Sequence, residues 1–111
     1  MKNYVQAGNV MTVAAPYDVL SGAGLLVGSM FGVATYDALS GVDVEAAVEG
    51  VFDLKKTSAQ AWTVGALIYW DNSNKETTTS SSGNKLIGVA AAAAANPSST
   101  GKVRLNGAFI S

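Results

Sequence analysis

Three acids, Asp43, Glu45 and Glu49, recur at odd positions of one alternating run. Paired carboxylates do acid–base chemistry when burial pushes their pKa values apart. These sit on the polar row of an amphipathic strand, so solvation is their expected state. A second group, Asp71-Asn72-Ser73-Asn74-Lys75-Glu76, has the flavour of a calcium loop. It lacks the glycine of the sharp turn and the distal bidentate glutamate, so it reads as an Asx-rich turn. Gly22-Ala23-Gly24 and Gly101-Lys102-Val103 do not match a phosphate-binding loop, which needs Gly-x-x-x-x-Gly-Lys followed by Ser or Thr. The chain has no histidine and no cysteine. The commonest general base, the commonest metal ligand, disulfides and thiolate metal sites are thereby excluded. Trp62, Trp70, Tyr69 and Phe109 read as core aromatics, because no basic residues interleave them as a single-strand nucleic-acid platform requires. The residues point to no catalytic group, no metal and no cofactor.

The elements that would position these residues are strands. From Val42 to Lys55 the even positions are Val42, Val44, Ala46, Val48, Gly50, Phe52 and Leu54, and five of the seven odd ones are charged. That period of two predicts a half-buried strand, with Val44, Ala46, Val48, Phe52 and Leu54 inward. The run is long for one straight strand, and Gly50 marks a bend or bulge. Further strands are predicted at 10–14, 25–27, 30–34, 66–70, 76–79, 85–95 and 102–109. The 76–79 run is polar and β-branched, as suits an edge strand. Ala90 to Ala95 reads as a strand with small side chains, with a short helix as the alternative, since six alanines favour a helix but one this short is unstable alone. No internal repeat is evident. Short strands separated by Gly, Ser and Asn turns predict an all-β fold, a small single-domain β-barrel or jelly-roll-like sandwich.

With 111 residues the chain fits one domain. Such a domain hides roughly 65% of its unfolded surface, so association with a partner would help it. Charged residues are 14% and apolar residues 49%, a globular composition. The net charge of −1 gives no basic field for nucleic acid. The charges are segregated: six acids and no base from Asp18 to Asp53, then six bases and two acids from Lys55 to Arg104. Two solvated faces, or complementary patches for head-to-tail contact or docking on a shell, both fit that pattern. The start of the chain has no apolar stretch of the signal-peptide kind, and the run from Leu20 to Ala34 is too short, and too broken by glycines, to span a bilayer. No membrane association is expected.

The opening Met1-Lys2-Asn3-Tyr4-Val5-Gln6-Ala7-Gly8-Asn9-Val10 resembles the start of the DUF2190 family of small phage proteins. So do Gly28 to Ala34, Val48 to Phe52, Gly65 to Asp71, Gly83 to Ala90 and Gly101 to Gly107 in their order and spacing. The resemblance covers nearly the whole chain. It implies a capsid cement or decoration protein of a tailed phage or prophage, with a β-barrel or jelly-roll-like fold. It also implies an oligomer on the capsid surface that binds the major capsid protein, and it carries over no catalytic residue. Another virion component, of the tail or a head fibre, is the alternative role. Some members carry a recombination-associated label, which the missing phosphate loop does not support. Synthesis is expected in the bacterial cytoplasm and residence on the virion.

The domain is expected to span residues 9–111, preceded by an arm of residues 1–8. Within it Met1, Lys2, Asn3, Tyr4, Val5 and Gln6 are the candidate capsid or subunit contact. Tyr4 and Val5 are apolar anchors ahead of the first strand. They fit a docking arm, and equally a first strand of the domain or a contact on a neighbouring subunit. A homo-oligomer is expected, a trimer sooner than a dimer, because shell sites with threefold local symmetry invite one.

Overall fold

The computed structural model describes residues 8–108 and 110. Nine strands form where β-branched and apolar runs end at Gly, Asn or Ser turns: β1 (Val10–Ala14), β2 (Gly24–Val27), β3 (Met30–Ala34), β4 (Asp43–Ala47), β5 (Glu49–Lys55), β6 (Leu67–Asp71), β7 (Glu76–Thr78), β8 (Lys85–Ala90) and β9 (Thr100–Asn106). No helix occurs among the described residues. The all-β expectation holds. The strands make a four-stranded sheet of order β1-β4-β3-β2 and a five-stranded sheet of order β5-β9-β8-β6-β7, with antiparallel neighbours throughout.

The run from Val42 to Lys55 is two strands in two sheets, not one strand. The chain leaves the first sheet at Val48, whose N–H donates to Asn9 O at 3.0 Å, and enters the second through Gly50, whose φ of +123° favours glycine. Val44, Ala46, Val48 and Leu54 are buried and Phe52 is half-buried, as the alternation predicts. Val42 departs from its row and is exposed, because it lies in the turn before β4, with its N–H on Leu39 O.

The five-stranded sheet curls into a half-barrel. Its two outer strands meet at one end, where Lys56 forms a parallel bridge with Thr77. The Thr57 N–H donates to Thr77 O at 2.9 Å, and the Thr77 hydroxyl donates to Lys55 O at 2.8 Å. The expected polar edge strand is therefore covered at this end, and Thr77 and Thr78 are buried. Their hydroxyls tolerate burial because each is hydrogen-bonded, Thr77 to Lys55 O and Thr78 to Gln60 Nε2.

The two sheets are copies of one motif, a repeat that the sequence reading did not recognise. The ladder rows Val10–Ala47–Val33–Gly24 of the first sheet reappear as Val51–Arg104–Val89–Leu67 in the second. Met11–Ala46–Ala34 likewise corresponds to Phe52–Val103–Ala90. The isolated bridge Val19–Ala38 matches Trp62–Ala94. The turn glycines Gly22 and Gly65 share φ values of +87° and +86°. Shared sequence is thin, Gly32-Val33-Ala34 against Gly88-Val89-Ala90 being its clearest trace. The second copy also inserts β7 and its loops where the first has only the Gly28-Ser29 turn, which destroys the spacing.

This correspondence explains the alanine run. Neither a continued strand nor a helix forms: β8 stops at Ala90, and 91–95 is irregular apart from the bridge at Ala94. Its backbone groups are claimed from elsewhere, the Ala91 N–H by Lys102 O of β9 and both backbone groups of Ala94 by the backbone N–H and C=O of Trp62. Intrinsic helix propensity loses to that tertiary pairing.

Candidate functional site

The carboxylates singled out by type do not converge. Asp43, Glu45 and Glu49 are exposed, and their ladder partners are Ala14, Thr12 and Asn106. Among the described residues no group of three or more acidic, His or Cys side chains could hold a metal. The Asp71 turn closes on itself. Asp71 Oδ1 accepts from Ser73 N–H at 3.0 Å and Asn74 N–H at 3.1 Å, and Oδ2 accepts from Asn74 Nδ2 at 2.9 Å. Those bonds, the Asn74 N–H foremost, hold the Asp71 carboxyl below its ordinary pKa. The carboxylate is thus occupied by its own turn.

Both tryptophans are core residues, 2% exposed. Trp62 lies against Gly101, where a Cβ would stand 2.3 Å from its ring. Lys56, 2% exposed, is the buried cation of this region. Its ammonium donates to the carbonyls of Thr57 at 2.9 Å, Ser98 at 3.3 Å and Ser58 at 3.4 Å, and lies 5.9 Å from the Trp62 ring centroid. These contacts take up its donors, so it ties loops together instead of facing a substrate. Tyr17 joins the two halves. Its hydroxyl donates to Gly24 O at 2.8 Å, and Lys75 Nζ sits 4.4 Å from its ring centroid. Burial pushes the phenol pKa up to about 12, partly opposed by a hydrogen bond from the Leu26 backbone.

What remains are surfaces. Sequence reasoning missed one whose signal is plain on inspection: the hexapeptide Tyr17-Asp18-Val19-Leu20-Ser21-Gly22 recurs as Tyr36-Asp37-Ala38-Leu39-Ser40-Gly41. The two copies pair with local twofold symmetry. Val19 and Ala38 exchange backbone bonds of 2.9 and 3.0 Å. Asp37 Oδ1 accepts from Ser21 N–H at 2.7 Å, and Asp18 Oδ1 accepts from Ser40 N–H at 2.8 Å. Gly22 and Gly41 close the two turns at φ +87° and +85°. The result is a rigid tip that holds Leu20 69% exposed and Leu39 67% exposed over a shallow groove flanked by Asp18 and Asp37.

A second surface is the outer face of the half-barrel. Val51, Arg104, Val89 and Leu67 form one row across four strands, and Tyr69 and Leu86 form the adjoining pair. Val51, Leu67 and Leu86 are exposed. The candidate contact Met1, Lys2, Asn3, Tyr4, Val5 and Gln6 lies outside the described residues, as does Phe109, which the sequence reads as a core aromatic.

Among the described residues the molecule therefore offers rigid apolar surfaces and no assembled reaction centre. A family model for phage cement proteins matches residues 5–105. The chain belongs to the phage cement protein family. No curated protein and no solved structure matches it. A phage cement protein has a structural role on the capsid, as cement or decoration, and the expectation of that role holds. In this cement protein no helix of the described residues is long and apolar enough to cross a membrane.

Proposed function

We propose that this cement protein stabilises the expanded head of a tailed phage or prophage by binding across several copies of the major capsid protein. The family match carries the reading. A body of two tightly packed sheets supports it, because a cement must transmit load between subunits without yielding. Each contact can be weak, since simultaneous engagement multiplies affinity through effective concentration. Binding the expanded shell alone shifts the equilibrium towards that shell. The role needs no catalytic step, cofactor or direct nucleic-acid contact. The protein acts as a homo-oligomer, a trimer in preference to a dimer, matched to threefold shell sites. It is made in the host cytoplasm, and the DUF2190 assignment is consistent with all of these features.

The arm of residues 1–8 is the proposed docking element, with Tyr4 and Val5 as anchors. An extended segment of this length reaches roughly 25 Å and can add its backbone to the edge of a capsid sheet. The test uses purified expanded and unexpanded shells. The full chain is expected to bind expanded shells and raise their rupture temperature, and equal binding to both shells overturns the expansion-specific reading. Deleting Met1 to Gln6 is expected to abolish binding while melting temperature and oligomer state stay unchanged. Normal shell binding by the truncated chain, or its failure to fold, removes the arm from the docking role.

A further inference from the structure

Asn106 is the last residue of β9, and Gly107 follows it. An asparagine side chain has one reaction open to it without any partner. The main-chain nitrogen of the next residue can attack the side-chain carbonyl carbon, and a Cβ on that next residue obstructs the approach. Glycine has no Cβ. Of the seven asparagines in the chain, Asn106 alone precedes a glycine. Tyr4, Val10, Ser73, Lys75 and Lys85 follow five of the others, and Asn96 precedes Pro97, whose nitrogen carries no hydrogen. The fold itself calls for Gly107, because its φ is +78°.

The turn at Asn106 favours that attack. Asn106 Oδ1 accepts from the Ala108 N–H at 3.0 Å, which makes an Asx turn. The bond folds the side chain forward along the main chain and brings its amide carbon towards the Gly107 nitrogen. It also polarises the carbonyl and supports negative charge on Oδ1, as a donor in an oxyanion hole does. The side chains of Asn74 and Asn84 are drawn the other way, to Asp71 Oδ2 at 2.9 Å and Ser80 O at 3.0 Å. Asn106 and Gly107 are both exposed, and Asn106 lines an open groove with Glu49, Val51 and Arg104, so water reaches the amide.

We propose that Asn106 is a site of spontaneous deamidation in the folded protein. The Gly107 nitrogen, after losing its proton to hydroxide, bonds to Asn106 Cγ, and the carbonyl π pair moves to Oδ1. The pair returns as the Cγ–Nδ2 bond breaks, and ammonia leaves with a proton from water. The product is a five-membered succinimide, which water opens at either carbonyl. Cleavage of the new Cγ–N bond gives aspartate. Cleavage of the original peptide bond gives isoaspartate, in which the chain runs through Cβ and Cγ. The net change is one water taken up and one ammonia released, with no oxidation or reduction.

Both products set a carboxylate opposite Glu49, the ladder partner of Asn106, with Arg104 two residues away as the neighbouring base. The isoaspartyl form also adds a main-chain carbon ahead of Gly107. The chain beyond that point ties the two sheets together. The Ile110 N–H donates at 2.7 Å to Ser29 O, in the turn between β2 and β3, and Ile110 packs on the large core cluster. The added atom shifts this tie out of place. The conversion is one-way, so it marks the age of a copy.

Incubation of the purified full chain in mildly alkaline buffer, followed by peptide mapping in a mass spectrometer, tests the proposal. The mass gain of an amide-to-acid change is expected at Asn106 before any other asparagine, with isoaspartate among the products. The folded chain is expected to react within severalfold of the rate of the same chain in urea. A gain that appears first elsewhere overturns the proposal, and so does a folded chain that stays intact while the unfolded one converts. Hydrogen exchange tests the consequence. The Ile110 amide is expected to exchange faster in aged protein than in fresh. Asn106→Gln, aged alongside, is expected to keep the fresh rate, because its longer side chain cannot close the five-membered ring. Equal exchange in fresh and converted protein, or the same acceleration in the Gln variant, overturns the link to the tail.

Discussion

The two halves of this cement protein share a backbone frame and fill it differently. The first encloses small residues, Ala15, Val19, Leu25, Ala34, Ala38, Val44 and Ala46. The second encloses Trp62, Ile68 and Val103 at the places of Val19, Leu25 and Ala46, and adds Leu54 and Trp70. At the bridge the exchange is reciprocal. Val19 beside the position of Val44 becomes Trp62 beside Gly101. A large residue on one strand is matched by the loss of a side chain on the next, which keeps the volume filled. The lesson is that register is set by the frame, and the core composition then decides which faces close and which stay available for contact.

The sharpest way to break this comparison is to give the second half the residue of the first. Gly101→Val puts a Cβ into the Trp62 ring, where 2.3 Å separates them. Overpacking of that severity should cost about 3 kcal/mol or more in urea unfolding. Adding Trp62→Val restores the pair found in the first half and should recover at least about 1 kcal/mol relative to additivity. Strict additivity would show that the two positions do not compensate. Next in size, Leu54→Ala should cost about 2–5 kcal/mol, because Leu54 is 1% exposed. Its half-buried equivalent Val13 should cost about 1 kcal/mol on the same change. Equal costs would mean that the two cores are equally tight.

Smaller effects probe the seam and the surface. Tyr17→Phe removes the bond to Gly24 O and should cost about 1 kcal/mol. The folded Tyr17 pKa, about 12, exceeds its ordinary value of 10.0, so the unfolded chain releases this proton first as pH rises. Stability is fully present below pH 10 and declines from there through about 12. In the Phe variant that contribution to the decline should vanish. Asp71 works in the opposite direction: its folded pKa is lowered, so its contribution is present above the unfolded value and fades as pH falls through the folded one. Asp71→Asn should flatten acid unfolding slightly, and an unchanged acid limb would remove the turn from the account.

Much of the fold was legible because period-two alternation reports a half-buried strand directly. Val44, Ala46, Val48 and Leu54 are inward for that reason. Alternation carries no information about which sheet a strand joins, so the switch at Val48 was hidden. The repeat was obscured because equivalent positions conserve shape in pairs and not residue by residue, as Trp62 and Gly101 show against Val19 and Val44. The tip was visible as two copies of one hexapeptide, but its meaning depends on the bridge that puts Leu20 and Leu39 side by side. The segregated charges were readable from the chain, whereas their interleaving on one face, where Asp53 pairs with Lys102, is a property of the β5–β9 ladder.

The switch at Val48 also orders events during synthesis. By the time residue 47 is free of the ribosome, every strand of the first sheet has its partners, all within a 38-residue span from Val10 to Ala47. The second sheet must wait for β9, because β5 pairs with it alone along its length and their register runs from Glu49–Asn106 to Lys55–Thr100. Closing that longer loop costs more chain entropy and delays the pairing. The nascent first sheet exposes Phe31 and Val33 until β6 follows, whose Trp70 ring lies 4.9 Å from that of Phe31. The late half acts as an intramolecular chaperone for the early one, and a chain stalled before β9 should be the form most prone to aggregate.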